Sequence, residues 1–282
     1  MVAITWSSSG SVSMLRKPAH SRRSVNPLIA VGSVLAIVFL LLPIVGLLQR
    51  VPWSSLGTTV SSSVVVDALV LSAITSVSAT VLSVLLGTPL AWTISQLDGR
   101  ARRLLRALVL LPMVLPPVVA GAALLFALGR RGLLGQLLDD WFSITLPFTT
   151  AGAIVAVTFV ALPFYVITVE AAMRQVDRHH VEVADTMGAS TAQVLRYVTF
   201  PLVRPAVVAG AALAWARALG EFGATITFAG SLGGRTQTLP LATFQALEGG
   251  RRDDALVMSL ILLTVSFVVL AAMRDHWLTQ LR

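Results

Sequence analysis

The chain has 282 residues, 56% of them hydrophobic and 12% charged, with a formal net charge of +8 and no cysteine. A soluble domain carries about twice that charged fraction, so a soluble globular class is excluded. The long unbroken apolar runs exclude a β-barrel, whose strands would alternate over about ten residues.

The expectation is therefore an all-α polytopic membrane protein. Without cysteine there are no disulfides and no thiolate metal site. The basic residues fall in loops between apolar spans, the pattern that sets membrane orientation, which argues against a nucleic-acid partner.

In chain order, residues 1–26 are rich in serine and arginine and are expected to form a disordered cytoplasmic tail. Residues 27–282 then form one transmembrane domain. A bilayer core about 30 Å thick needs roughly twenty apolar residues, which gives six spans: 27–48, 64–94, 104–128, 149–169, 203–222 and 255–273. The first is longer than a secretory signal core and is expected to be retained. The second exceeds the required length and should tilt or project.

With the N-terminus inside, the inner loops receive Arg16, Lys17, Arg22, Arg23, Arg100, Arg102, Arg103, Arg106, Arg174, Arg178, Arg196, Arg204, Arg274 and Arg282. The outer loops receive Arg50, Arg130, Arg131, Arg235, Arg251 and Arg252. This bias predicts a cell-membrane protein with both termini cytoplasmic.

In the third span, Pro112, Pro116 and Pro117 remove helix hydrogen bonds. Interrupted backbone at membrane depth must be buried in protein or line a cavity. It is either a static kink or a hinge beside a pathway.

Between the fourth and fifth spans, residues 170–204 leave the membrane. Asp177 is a candidate N-cap for a short helix over 178–187, with Val183 and Met187 four apart on one face. Gly188 supplies the left-handed residue that ends it. Ser190 and Gln193 have the spacing of a capping box that starts a second helix, and Pro201 and Pro205 mark the turn back into the membrane. The product is a helix–glycine–helix elbow on the cytoplasmic side, either a structured connection or a docking element. His179 and His180 are read as solvated, with no third metal ligand at suitable spacing.

In the fifth span, Ala206, Gly210, Ala214 and Ala218 form a small-residue ridge for close helix packing, within one chain or across a dimer seam. Arg217 and Glu221 are intramembrane charges four apart and are expected to pair. They serve either as a structural ion pair or in translocation. An arginine neutralised by its own glutamate would not hold a dianion too firmly for release. The outer segment "SLGGRTQTLP" carries Arg235, which could meet a binding protein or a departing anion, or belong to a simple turn.

The elbow resembles the cytoplasmic loop of ATP-binding-cassette importer permeases: Glu182, Val183 and Ala184, then Gly188, then Val198, Phe200 and Pro201 keep its spacing. "GTPLAW", "LPMVLPPVVAG", "FVALPFYV" and "GEFGAT…RTQTLP" are similar to the molybdate permease branch, with tungstate and sulfate permeases as relatives. Val183, Phe200, Arg178 and Ser231 depart from that pattern.

The resemblance implies a type I importer permease fold, with a coupling helix carried by Asp177, Glu182, Ala184, Met187, Gly188 and Pro201. The candidates for the pathway or gate are Pro116, Pro117, Arg217, Glu221, Thr225 and Arg235. It implies a homodimer, two ATPase subunits that hold ATP and Mg, and an extracytoplasmic oxyanion-binding protein. This chain lacks a phosphate-binding loop, its single lysine being Lys17, so it is not expected to be an enzyme or to bind a cofactor itself. The alternatives are a sulfate/thiosulfate or tungstate permease of the same machinery and, from another class, an ion-coupled secondary transporter.

Overall fold

A computed structural model describes residues 27–177, 179, 183–184 and 186–278. The expected tail, Arg178, His180, Glu182 and Arg282 lie outside the described residues. All the regular structure described is helical: α1 (Pro27–Arg50), α2 (Leu56–Val60), α3 (Ser63–Gln96), α4 (Gly99–Val114), α5 (Pro117–Leu128), α6 (Gly135–Phe142) and α7 (Thr150–Gln175). These are followed by α8 (Thr191–Leu219), α9 (Gly223–Ala229), α10 (Leu239–Glu248) and α11 (Arg252–Leu278). The chain divides after Gly46 into two compact units. The first contains most of α1, an apolar helix with Pro43 in its interior.

In the second unit, α7 is the central element, packed against α3 and α8. Its buried positions include Ala153, Ala156, Ala161, Tyr165 and Val169. Lipid tails are as apolar as leucine, so helices in a bilayer associate through close packing of small residues. The α8 ridge meets this requirement within the chain: Gly210, Ala214 and Ala218 are buried, and Ala206 is half-buried.

The tightest point of this core is Tyr165. Its hydroxyl lies 2.6 Å from Thr88 Oγ1. A Cβ placed on Gly87 would come within 2.5 Å of its ring, and one on Gly210 within 3.3 Å. Gly87→Val is therefore expected to cost about 1–3 kcal/mol by overpacking, read as a lowered unfolding temperature in detergent. Gly57→Ala, with no atom within 4 Å of the added carbon, serves as the neutral control.

Two further clusters complete the interior. Val65 and Ala68 at the start of α3 pack with Leu239, Ala242, Ala255 and Met258 of α10 and α11. Ala120 and Leu124 of α5 pack with Val160 of α7 and Phe228 of α9.

Four described helices are long and apolar enough to cross a membrane: Leu28–Arg50, Ser63–Gln96, Thr150–Gln175 and Thr191–Leu219. The α4–α5 pair raises the number to five if it counts as one crossing. The sixth expected span falls within α11. The third, expected over 104–128, is not one straight rod: α4 and α5 meet at an angle of 113°. A residue before proline is driven to extended backbone, and two successive residues obey. Leu115 has φ −64° and ψ 134°, and Pro116 φ −53° and ψ 134°. Pro117, which needs no N–H there, opens α5.

The fifth span also departs from expectation. Pro201 and Pro205 make no turn; α8 runs through both. The backbone over Val194–Thr199 is wound as a π-helix, and Phe200 N–H bonds Leu195 O, five residues back. That wider winding immediately precedes Pro201, which lacks an N–H and whose ring would otherwise crowd the preceding turn. At its other end α8 stops at Leu219, short of the expected 222, and a separate short helix, α9, follows.

Candidate functional site: the elbow and the buried charge pair

The elbow joins α7 to α8. At its entry, Asp177 Oδ1 accepts the N–H of His179 at 3.0 Å, an arrangement suited to a helix start. Over 183–189, Met187 N–H reaches Val183 O and Ala184 O at 3.2 Å, and Ala189 N–H reaches Ala184 O at 3.1 Å. Gly188 sits between them at φ +80°. A left-handed glycine with a backbone bond spanning it to the last turn is the glycine-terminated helix end expected from sequence.

The next helix then starts with the anticipated capping box: Ser190 N–H donates to Gln193 Oε1 at 2.7 Å, and Gln193 N–H to Ser190 Oγ at 3.4 Å. Met187 is 83% exposed, Val183 is exposed, and Gly188 has no atom within 4 Å of an added Cβ. Ala184 is half-buried and Pro201 exposed. Among the described residues, the elbow thus exposes Val183 and Met187 beside a turn held by short-range backbone bonds. Beneath it, a pocket of about 480 Å³ opens between Gln175, Val176 and Asp177 at the end of α7 and Leu202, Pro205 and Ala206 of α8.

The second set of candidates gathers where α8 gives way to α9. Residues 191 and 219 bound α8, so the two sites lie about 42 Å apart along it. Arg217 Nη2 contacts Glu221 Oε2 at 2.6 Å. The carboxylate, 2% exposed, uses its other oxygen to accept the N–H of Ala224 at 2.7 Å. Glu221 therefore neutralises the arginine and also satisfies a free donor in the first turn of α9.

Pro117 joins this group: a Cβ on Gly223 would lie 2.5 Å from Pro117 Cβ, and one on Gly121 would lie 2.8 Å from Ala224 O. Only glycine allows α5 and α9 to pack this closely. Thr225, also on α9, is fully buried, and its hydroxyl has no partner among the described residues. Pro116 is exposed at the break. Arg235 is exposed in a separate turn, where its carbonyl accepts from Thr150 Oγ1 at 2.8 Å.

One buried acid was not anticipated. Glu170, in α7, is 1% exposed and pairs with Arg102 and Arg106 of α4, residues read from sequence only as orientation charges. The available signal was an acid directly abutting a long apolar run.

A model of the binding-protein-dependent transport system inner membrane component matches residues 83–277, which include the α4–α5 break, the elbow and the charge pair. The chain belongs to that family. Membership makes it a multi-pass inner-membrane protein, in line with its apolar helices. Among family relatives, the chain is 45% identical to the molybdenum transport system permease protein ModB of Mycobacterium tuberculosis, over 84% of this chain and 89% of the relative. It is 36% identical to ModB of Escherichia coli, over 76% and 93% respectively. Its fold is similar to that of a bacterial ABC transporter involved in the import of the acidic polysaccharide alginate, with a TM-score of 0.67 at 18% identity, covering 88% of this chain and 94% of that one.

Proposed function

We propose that this chain is the permease subunit of an ATP-binding-cassette importer and carries molybdate across the inner membrane. The observation that carries this reading is the 45% identity to a molybdenum permease over 84% of this chain and 89% of the relative. In this reading the chain crosses the membrane six times with both termini in the cytoplasm. It works as a homodimer with two ATPase subunits, which hold ATP and Mg, and with an extracytoplasmic oxyanion-binding protein.

The elbow is the contact to the ATPase. Its exposed apolar tip suits a groove that receives a short helix, and its capped ends favour motion as a rigid body. ATP-driven closure of the ATPase pair would draw two elbows together and turn the cavity outward. Hydrolysis would return it inward. Each ligand shifts these populations only through its differential affinity for the two states. The α5–α9 contact with Arg217 and Glu221 is the pathway or gate region, where an arginine neutralised by its own glutamate would not hold a dianion too firmly for release.

The test is ATP hydrolysis by the permease reconstituted with its co-expressed ATPase and cognate binding protein. Hydrolysis is expected to rise several-fold with molybdate-loaded binding protein and less with sulfate. A response to sulfate alone would overturn the substrate, and no response to molybdate, tungstate or sulfate would overturn the importer reading.

A further inference from the structure

Helix α4 contains no fully buried residue. Leu105 and Val109 rest on the core only as half-buried neighbours, and two ion pairs add a polar attachment to α7. Arg102 donates to Glu170 Oε1 through Nη2 at 2.8 Å and Nε at 3.3 Å. Arg106, one turn along, holds Nη1 3.7 Å from Oε2, too far for a hydrogen bond. Closer to the elbow, Arg174 of α7 reaches Asp98, just before α4, at 3.8 Å. Glu170 is buried and must keep a cationic partner wherever α4 moves. Two arginines at i and i+4 offer it alternative partners.

The placement of this cluster gives the choice of partner a consequence. Glu170 lies five residues, about 8 Å, before Gln175, the last residue of α7, so it moves with the stem of the elbow. Arg102 precedes Val114 by twelve residues, about 18 Å. There the chain breaks into α5, whose Pro117 packs on Gly223 beside Glu221. A contiguous physical link therefore runs from the elbow through Glu170 and α4 to the α5–α9 contact.

We propose that Glu170 is a positioning residue with two registers, paired through Arg102 or through Arg106, and that exchange between them lets α4 step against α7 and carries elbow motion to the α5–α9 contact. Steps of about one helical turn between packed elements are a known form of two-state switch. The inference rests on the importer reading.

Arg106→Gln is the decisive variant, because it leaves the Arg102 hydrogen bonds in place and alters a half-exposed side chain at a long contact. With permease and ATPase in proteoliposomes, assembly and unstimulated ATP hydrolysis are expected at wild-type levels. Stimulation by molybdate-loaded binding protein is expected to fall at least fivefold, and Arg106→Lys should restore most of it. Glu170→Gln should lose stimulation as well; should that variant not assemble, Arg106→Gln alone decides. Full stimulation of Arg106→Gln overturns the two-register proposal. If the wild type itself responds to no oxyanion-loaded binding protein, the importer reading fails instead, and the two failures are told apart by that control.

Discussion

Gly188→Val is expected to abolish oxyanion uptake while leaving the membrane helices folded. The residue lies at φ +80° with no atom near an added Cβ, so the penalty comes from backbone conformation and not from collision. An L-residue in that region costs about 1–2 kcal/mol, and a β-branched one more. Among the described residues, Met187 and Ala189 tie the elbow to Val183 and Ala184 at this point. The least costly response is to unwind the turn that holds Met187 and Ala189, which displaces the exposed tip. The global effect should be small, since a shift of about 2–4 °C per kcal/mol is normal for a chain of this size. The effect on docking should be nearly complete, because the ATPase would meet a differently shaped surface. Gly188→Asn should retain much of the uptake, since asparagine tolerates the left-handed region. Uptake, the amount of co-purified ATPase and the unfolding temperature should be measured together. Wild-type transport by the valine variant would remove the elbow from the mechanism.

The largest loss of stability is expected from Arg217→Met. It strands a carboxylate that is 1% exposed by side chain, and breaking a buried pair from one side costs about 3–5 kcal/mol. Glu221→Gln should cost less. Glutamine can still accept the Ala224 N–H, and Arg217, 27% exposed by side chain, is less enclosed than the carboxylate. The double variant should therefore be more stable than Arg217→Met alone, the signature of direct coupling. Simple addition of the two losses would show that the pair does not act as a unit.

These expectations draw on features of unequal visibility in the sequence. The exit of the elbow was legible because its signals are local: Gly188 takes the left-handed conformation and Ser190 and Gln193, three apart, form the capping box, each without help from the rest of the fold. The interruption at Leu115–Pro116 was legible as a break, because consecutive prolines forbid continuous helix, but the angle depends on what α5 packs against. Pro201 misled for a physical reason. A proline usually ends a helix, yet one turn of π-winding absorbed it, and nothing in the residues themselves announces that winding. Glu221 was read as a partner of Arg217 but not as the acceptor that starts α9, since the end of α8 at Leu219 fixes that role. Glu170 was missed because its partners lie 68 and 64 residues earlier in the chain, beyond the reach of any periodic pattern.

The folded-back α4–α5 pair has an electrostatic consequence. Helix α5 has twelve residues and α9 has seven, about 18 Å and 10 Å of rise, and neither can bridge a hydrocarbon layer about 30 Å deep. Inside a bilayer, two such stubs lying together would thin the insulating slab, and their free backbone ends must be met by polar groups or water. A thinner slab lowers the image-charge barrier to a doubly charged solute, so an uncoupled leak through a damaged carrier is expected at the α5–α9 contact.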